Sequence, residues 1–448
     1  MNLMPKAAFR MSFLCLALAA TAPACQNNIG LPQDQSDGLR YPIALVADPS
    51  GKQVFALGAN FDREYRAGRM RTIDTATDSY VLNAKGEVTA TEVPSFGGSF
   101  AMDPVPGATT TAFHLLVPAR DDDSLSVLDV TAATPTSMDC NADLITGICG
   151  ADHHIAGTTG VFPVGDDPVA VALSDAPTPT DPAEHRRRRV HIAAANNGQL
   201  TVMDYDPTEQ PINLRELDIV YMPSGLNSIV VSPLTGRAYV TTTRSASIQT
   251  YRMDPGPSVD KPWVIIQEPS VVLPASSLAD YGRGLAFSSD SSRLYVAWRS
   301  PAALDILDVV PDGSGVPGNR LVDTIVLGSK PSGLAVAPTG PGGRDLVYVS
   351  CYGDDAIWVV DPVVRTTVAR IPMRLGIHEP GVDATIVRGS PFAMAAVNVP
   401  KRGWQLYAGL FSVPPIAEHH IVVVPIGPGA VKLNVADHIV HVAPGVAP

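Results

Sequence analysis

One unit recurs along this chain, and it constrains the fold more than any other feature. It is clearest at residues 328–361, where GSKPSGLAVAP leads through a turn into DLVYVSCYGDDAIWVVDP. A Gly/Pro turn opens it, followed by a short apolar strand and a second turn. A second strand with an aromatic residue comes next, then a polar loop, and a third strand closes on Asp. The same order returns at 282–308, 223–254, 168–204 and 42–74, and in weaker copies at 98–129 and 389–426. Internal repetition at a fixed period is the signature of a ring or array rather than of separate domains.

The equivalent first-strand positions Ile43, Phe100, Val169, Ile229, Leu285, Leu334 and Phe392 are spaced by about 58 residues. This exceeds the roughly 40–50 residues of compact propeller blades. The surplus falls around Cys140 and Cys149, in the Pro/Asp-rich stretch from Pro177 to Arg189, and in the loop 254–263. Segments between units, such as 322–326 and 367–371, supply a fourth strand. Runs of four to seven residues rich in Val, Ile, Leu and Tyr between closely spaced turns predict an all-β chain. Gly/Pro punctuation inside every unit excludes helical repeats. Four strands repeated seven times predict a seven-bladed β-propeller of four-stranded antiparallel blades. Length alone would permit roughly three ordinary domains among 448 residues, but the repeat assigns 41–448 to one. With 45% hydrophobic and 17% charged residues there is ample material for a core, and 37 Gly and 41 Pro are the turns.

Tyr239-Val240-Thr241-Thr242 nearly spells a YVTN signature, with Leu294-Tyr295-Val296-Ala297 and Val347-Tyr348-Val349-Ser350 in the same slot. Together with the preceding Pro-x-Gly-Leu-Ala-Val turn and the trailing Val-Val-Asp, these residues resemble the YVTN-repeat, lactonase-like group of seven-bladed propellers. The resemblance covers nearly all the chain after the leader. It implies the fold, and an activity only loosely, because one fold hosts many functions. The last unit departs from the pattern, with Val424-Pro425 where the others carry Asp, which leaves the closure of the ring open.

Residues 1–24 read as an export signal. Lys6 and Arg10 form a basic region before the apolar stretch 13–20, which is too short to span a bilayer. Ala22-Pro23-Ala24-Cys25 offers both a signal-peptidase site and the small-residue–Cys junction of a bacterial lipoprotein. Lipidation of Cys25 followed by a tether over 25–40 predicts an exported outer-membrane or cell-surface lipoprotein. Simple cleavage predicts a periplasmic or secreted one. An oxidising compartment suits Cys140 and Cys149, which enclose a short loop and could pair. Cys351 lies in a strand-like run and reads as a buried, inert thiol. Against 32 Lys and Arg stand 44 Asp and Glu, a formal charge of −12, so nucleic acid is not an expected partner.

In a propeller the starts of the innermost strands and the loops joining strands two and three share one face. The former supply Asn227, Arg283, Lys330 and Arg388, and the latter Arg120, Asp121, Asp122, Asp123, Asn196, Arg244, Arg299, Asp354 and Asp355. Cations gathered on one rim could form an anion-binding funnel, or they could pair with the neighbouring aspartates. His378, Glu379, Glu418, His419 and His420 could place imidazoles and a carboxylate around a divalent metal. Adjacent histidines in a strand point to opposite faces, however, which leaves His378, Glu379 and His419 as the candidate set. His153 and His154 have no evident partner. The run Arg186 to Arg189 reads as the tip of a hairpin on the opposite face, able to meet an anionic surface. Asp74, Asp129, Asp204, Asp308 and Asp361 recur once per blade at strand ends, a turn-capping position.

No phosphate loop, nucleophile elbow, dinucleotide fingerprint or CxxC pair occurs, and no cofactor is expected. These features predict a lipid-anchored binding scaffold whose mouth meets a protein, a glycan or a small anion. The alternative is a lactonase-type hydrolase using an Arg with a Glu or His.

Overall fold

The structure, a computed structural model, describes residues 39–441 apart from 84, 87, 89, 107–111, 132–136, 142–148, 151–152, 157–163, 176–186, 210–211, 259–261, 273–279, 314, 378–384, 413–419 and 428–439. It is a seven-bladed β-propeller of four-stranded antiparallel sheets, with two short 3-10 turns as the helical content of the described residues. Blades three to six each place four strands in chain order from the channel outward. Blade six, for instance, runs Pro331–Ala337, Leu346–Cys351, Ala356–Asp361 and Thr366–Pro372.

In blades one and two the outermost position is split between two short strands. Ser79–Tyr80 and Ala90–Val93 both pair with Gly68–Asp74 in blade one. Ser137–Asp139 and His154–Ala156 both pair with Ser124–Thr131 in blade two. A disulfide between Cys140 and Cys149 ties the insertion that separates the second pair. Of the surplus stretches seen in the repeat, the one around Cys140 and Cys149 falls where an outer strand is interrupted, while 254–263 joins the last two strands of blade four.

Burial explains why the sequence pattern differs across a blade. Each sheet is covered on both faces by its neighbours, so its second strand carries no polar alternation. Gln53–Gly58 and Leu346–Cys351 are almost wholly buried, whereas the outer strand Thr366–Pro372 alternates. The apolar core accordingly forms seven layers, one at each junction between blades. Leu116 and Val127 of blade two, for example, meet Val190, Ile192 and Tyr205 of blade three.

The repeated motif has a physical meaning at these junctions. The hydroxyl in the third position of YVT or YVS reaches the innermost strand of the next blade. Thr241 donates to the Arg283 carbonyl at 3.0 Å, and Ser350 donates to the Phe392 carbonyl at 2.7 Å. Glycines in the innermost strands let those strands approach. A Cβ at Gly98 would fall onto the Val169 carbonyl, and one at Gly333 would lie 2.5 Å from the Phe392 oxygen.

Closure of the ring needs no exchanged strand among the described residues. Blade seven is built from Thr385–Val399, Gly403–Ser412, His420–Pro425 and Val440–His441, all from the C-terminal part of the chain. Its Tyr407 and Ile421 pack on Val54 and Ile73 of blade one. Arg402 and Tyr407 both bind Asp78 of blade one, each at 2.6 Å.

Candidate functional site

A cavity of about 290 Å³ opens at the centre of the ring. The innermost strands supply its wall, because their starts converge on the channel. Blades four to six contribute Asn227, Ser228, Arg283 and Ser332, and Arg120 enters from the loop after the second strand of blade two. Blades one, two and seven contribute Ile43, Phe61, Phe100, Phe392 and Met394. Among the described lining residues there is no carboxylate, imidazole, thiol or lysine.

The structure separates the rim residues read from the sequence. Arg283 and Asn227 come together on the wall, the guanidinium donating to Asn227 Oδ1 at 2.8 Å. Arg299 stands just behind the wall and donates to Ser332 Oγ at 2.8 Å. Arg120 pairs bidentately with Asp167, so its charge is already matched. Arg244 is exposed and donates to Ser224 Oγ at 2.9 Å, outside the cavity lining. Lys330 is also exposed and outside the lining, in a left-handed turn with φ of 55°. Arg388 is placed by its backbone alone, in register with Arg374, on a hairpin that prolongs the first strand of blade seven.

The remaining polar residues of that face are held by structural contacts. Asp121 binds Arg63 at 2.5 Å, Asp122 binds Ser124 Oγ at 2.5 Å, and Asp123 accepts the Asp167 amide at 2.7 Å. Burial, then the neighbouring Asp166, Asp167 and Asp122, raises the Asp123 carboxyl above its ordinary value against the pull of that amide. Asn196 donates to Asp166, Asp354 accepts from Trp358, and Asp355 accepts from Ser390.

Of the metal set, His378, Glu379, Glu418 and His419 lie outside the described residues, and His420 is placed only by its backbone opposite Leu410. No group of three or more metal-ligating side chains occurs among the described residues. His153 and His154 do have partners. His153 shares Asp129 with His114, at 3.1 and 3.2 Å, and His154 meets Asp122 at 3.3 Å. Cys25 and the leader also lie outside the described residues. Cys351 is buried, and burial followed by nearby Asp354 pushes its thiol up to about 12, which suits inertness rather than attack.

Two readings of charge need correction. The basic run is no free tip: Arg187 binds Asp204, Arg188 binds Asp103 and Asp175, and Arg189 is buried with its guanidinium 4.1 Å from the Trp263 ring centroid. Arg186 lies outside the described residues. The periodic aspartates divide as well. Asp74, Asp308 and Asp361 accept turn amides, whereas Asp204 binds Arg187 and Arg215, and Asp129 binds His114 and His153. A neighbouring cation does not by itself displace the turn, because Asp308 also meets Arg293 and Arg320 and Asp361 also meets Arg344.

Sequence reasoning missed the aromatic side of this mouth. Tyr41, Phe61, Phe96, Tyr352, Phe392 and Phe411 form one connected cluster of half-buried rings. Their signal was present in a chain with only 6% aromatic residues, but they are scattered along the sequence, in loops and at different positions within strands.

No family model matches the chain, and no curated protein matches it. Among solved structures, a "putative 6-phosphogluconolactonase" from Bacteroides uniformis superposes with a TM-score of 0.51 at 16% identity, over 76% of this chain and 88% of that one. The dihydro-heme d1 dehydrogenase NirN superposes at 0.50 with 14% identity, over 91% and 67%. The periplasmic gluconolactonase PpgL of Pseudomonas aeruginosa gives 0.48 at 17% identity, over 77% and 88%. At such identities the likeness establishes the propeller and nothing finer.

Proposed function

We propose that this chain is an exported, lipid-anchored propeller that binds a small anionic ligand at its channel mouth. One observation carries the binding reading. The cavity presents Arg283 beside the neutral hydrogen-bonding groups of Asn227, Ser228 and Ser332, without a described carboxylate, imidazole or thiol on its wall. A guanidinium among neutral donors recognises carboxylate or phosphate, whereas hydrolysis also needs a base within hydrogen-bond reach. Isothermal titration of the mature chain with D-gluconate and 6-phosphogluconate is expected to show saturable binding that Arg283→Gln weakens at least tenfold. Absence of binding by these two anions and by aromatic carboxylates alike would overturn the reading.

A lactonase is the second reading, and its support is the fold shared with the Bacteroides uniformis protein. The bases nominated for it, His378, Glu379 and His419, lie outside the described residues. Turnover of gluconolactone above the buffer rate, lost in His378→Ala or Glu379→Gln, would favour it over binding alone.

Export and anchoring rest on the sequence of residues 1–25. The wild type is expected in the membrane fraction and Cys25→Ser in the soluble one; a wholly soluble wild type counts against the anchor.

A further inference from the structure

We propose that the anion held at this mouth carries a planar apolar body, as an aryl carboxylate does, rather than a polyhydroxylated chain. This deepens the anion-binding reading and rests on it. The cavity has two chemically different sides. Phe61 and Phe392 line it, and each ring is braced by a stacked partner. Phe61 lies 5.6 Å from Phe96 with 24° between planes, and Phe392 lies 4.9 Å from Phe411 with 7°. Tyr41 stands 5.6 Å from both Phe61 and Phe411, joining the two stacks into one platform.

These rings are half-buried, whereas Tyr239, Tyr295, Tyr348, Tyr407 and Trp298 are packed between blades at 2% exposure or less. Phe61 belongs to blade one and Phe392 to blade seven. In a ring of seven, blades four and five face blade one across the channel, and they carry Asn227, Ser228 and Arg283. A ligand spanning the mouth therefore meets aromatic rings at one end and a guanidinium at the other. Rigid rings left partly in water gain by covering, and a flat apolar group covers them best.

Titration of the mature chain with 2-naphthoate, 2-naphthamide and D-gluconate tests this. The expected order is 2-naphthoate tighter than either other probe by about tenfold or more. Phe392→Ala and Phe61→Ala should weaken 2-naphthoate about tenfold and leave D-gluconate within about twofold, while Arg283→Gln weakens both anions. Phe392→Leu keeps a sizeable apolar side chain without the flat face and should behave like the alanine variant, with thermal unfolding confirming an intact ring. D-gluconate binding as tightly as 2-naphthoate, or indifference of 2-naphthoate to Phe392→Leu, would overturn the inference and leave anion binding standing. 2-Naphthamide matching 2-naphthoate would instead fell the anion reading, and the inference with it.

Discussion

Tyr407 of the last blade donates its hydroxyl to Asp78 of the first at 2.6 Å, across 329 residues of sequence. Both are buried, and Arg402 adds a second, charged donor to the same carboxylate. Burial, then this hydrogen bond to Asp78, drives the Tyr407 phenol far above its ordinary value, so it remains a donor at any working pH. Removing the carboxylate leaves a buried hydroxyl without an acceptor. Asp78→Ala should cost about 2–3 kcal/mol in urea unfolding and Tyr407→Phe about 1 kcal/mol. The double variant should cost clearly less than the sum. Strict additivity would mean that the contact does not hold the seam.

A second prediction concerns acid. His191 is buried between Ser174 Oγ at 2.9 Å and Tyr251 Oη at 2.7 Å, and burial, then Arg189, depresses its pKa from 6.5 to about 3. Between those values the unfolded chain takes up a proton that the folded chain refuses. The stability owed to neutral His191 is therefore intact above about pH 6.5 and is lost as pH falls toward 3, by at most about 1.4 kcal/mol per pH unit. Denaturant midpoints measured from pH 7 to 5 should fall, and the slope should be shallower by about one proton in His191→Gln. An unchanged slope would place the pH response elsewhere.

The disulfide of blade two closes a loop with a sequence separation of 9. Loop-closure entropy for so short a loop is worth about 2.5 kcal/mol, which is the expected loss in the Cys140→Ser, Cys149→Ser double variant. The loss should be local. Met138 and Ile155 pair with Val130 and Leu125 in the two halves of the split outer strand, and their amides should exchange faster. Faster exchange spread evenly over all seven blades would contradict this.

Close approach of the innermost strands is testable at a single atom. Gly98→Ala sets a methyl against the Val169 carbonyl, and separating the strands should cost about 2 kcal/mol or more. Gly313→Ala, where nothing lies within 4 Å, should stay within about 0.5 kcal/mol of wild type. Equal effects at the two positions would remove the steric explanation.

The contrast between backbone and site legibility has a physical basis. Apolar second strands such as Val347-Tyr348-Val349 announce themselves because burial on both faces demands an unbroken hydrophobic run, and the demand repeats in every blade. Charges carry no such rule. Arg120 and Arg299 share one position in the repeat, at the end of the second strand, yet Arg120 meets Asp167 from the next blade while Arg299 meets the hydroxyl of Ser332. Which partner a guanidinium finds depends on neighbours far off in sequence. The same holds for Asp204 and Asp361, equivalent by position: Asp204 takes two arginines, Arg187 and Arg215, whereas Asp361 takes Arg344 and two turn amides as well. Phe392 was legible as a strand position, but its grouping with Phe61 and Phe411 was not, because the cluster forms only when the first and last blades touch.

Among the described residues every blade is drawn from one uninterrupted stretch of chain, so blades seven and one are joined by packing and hydrogen bonds. The ring has no topological beginning. Fusing the two ends through a linker and cutting instead between two other blades would present the same sheets in the same circular order. The Asp78 contact would then pass from a seam to an ordinary joint between neighbours.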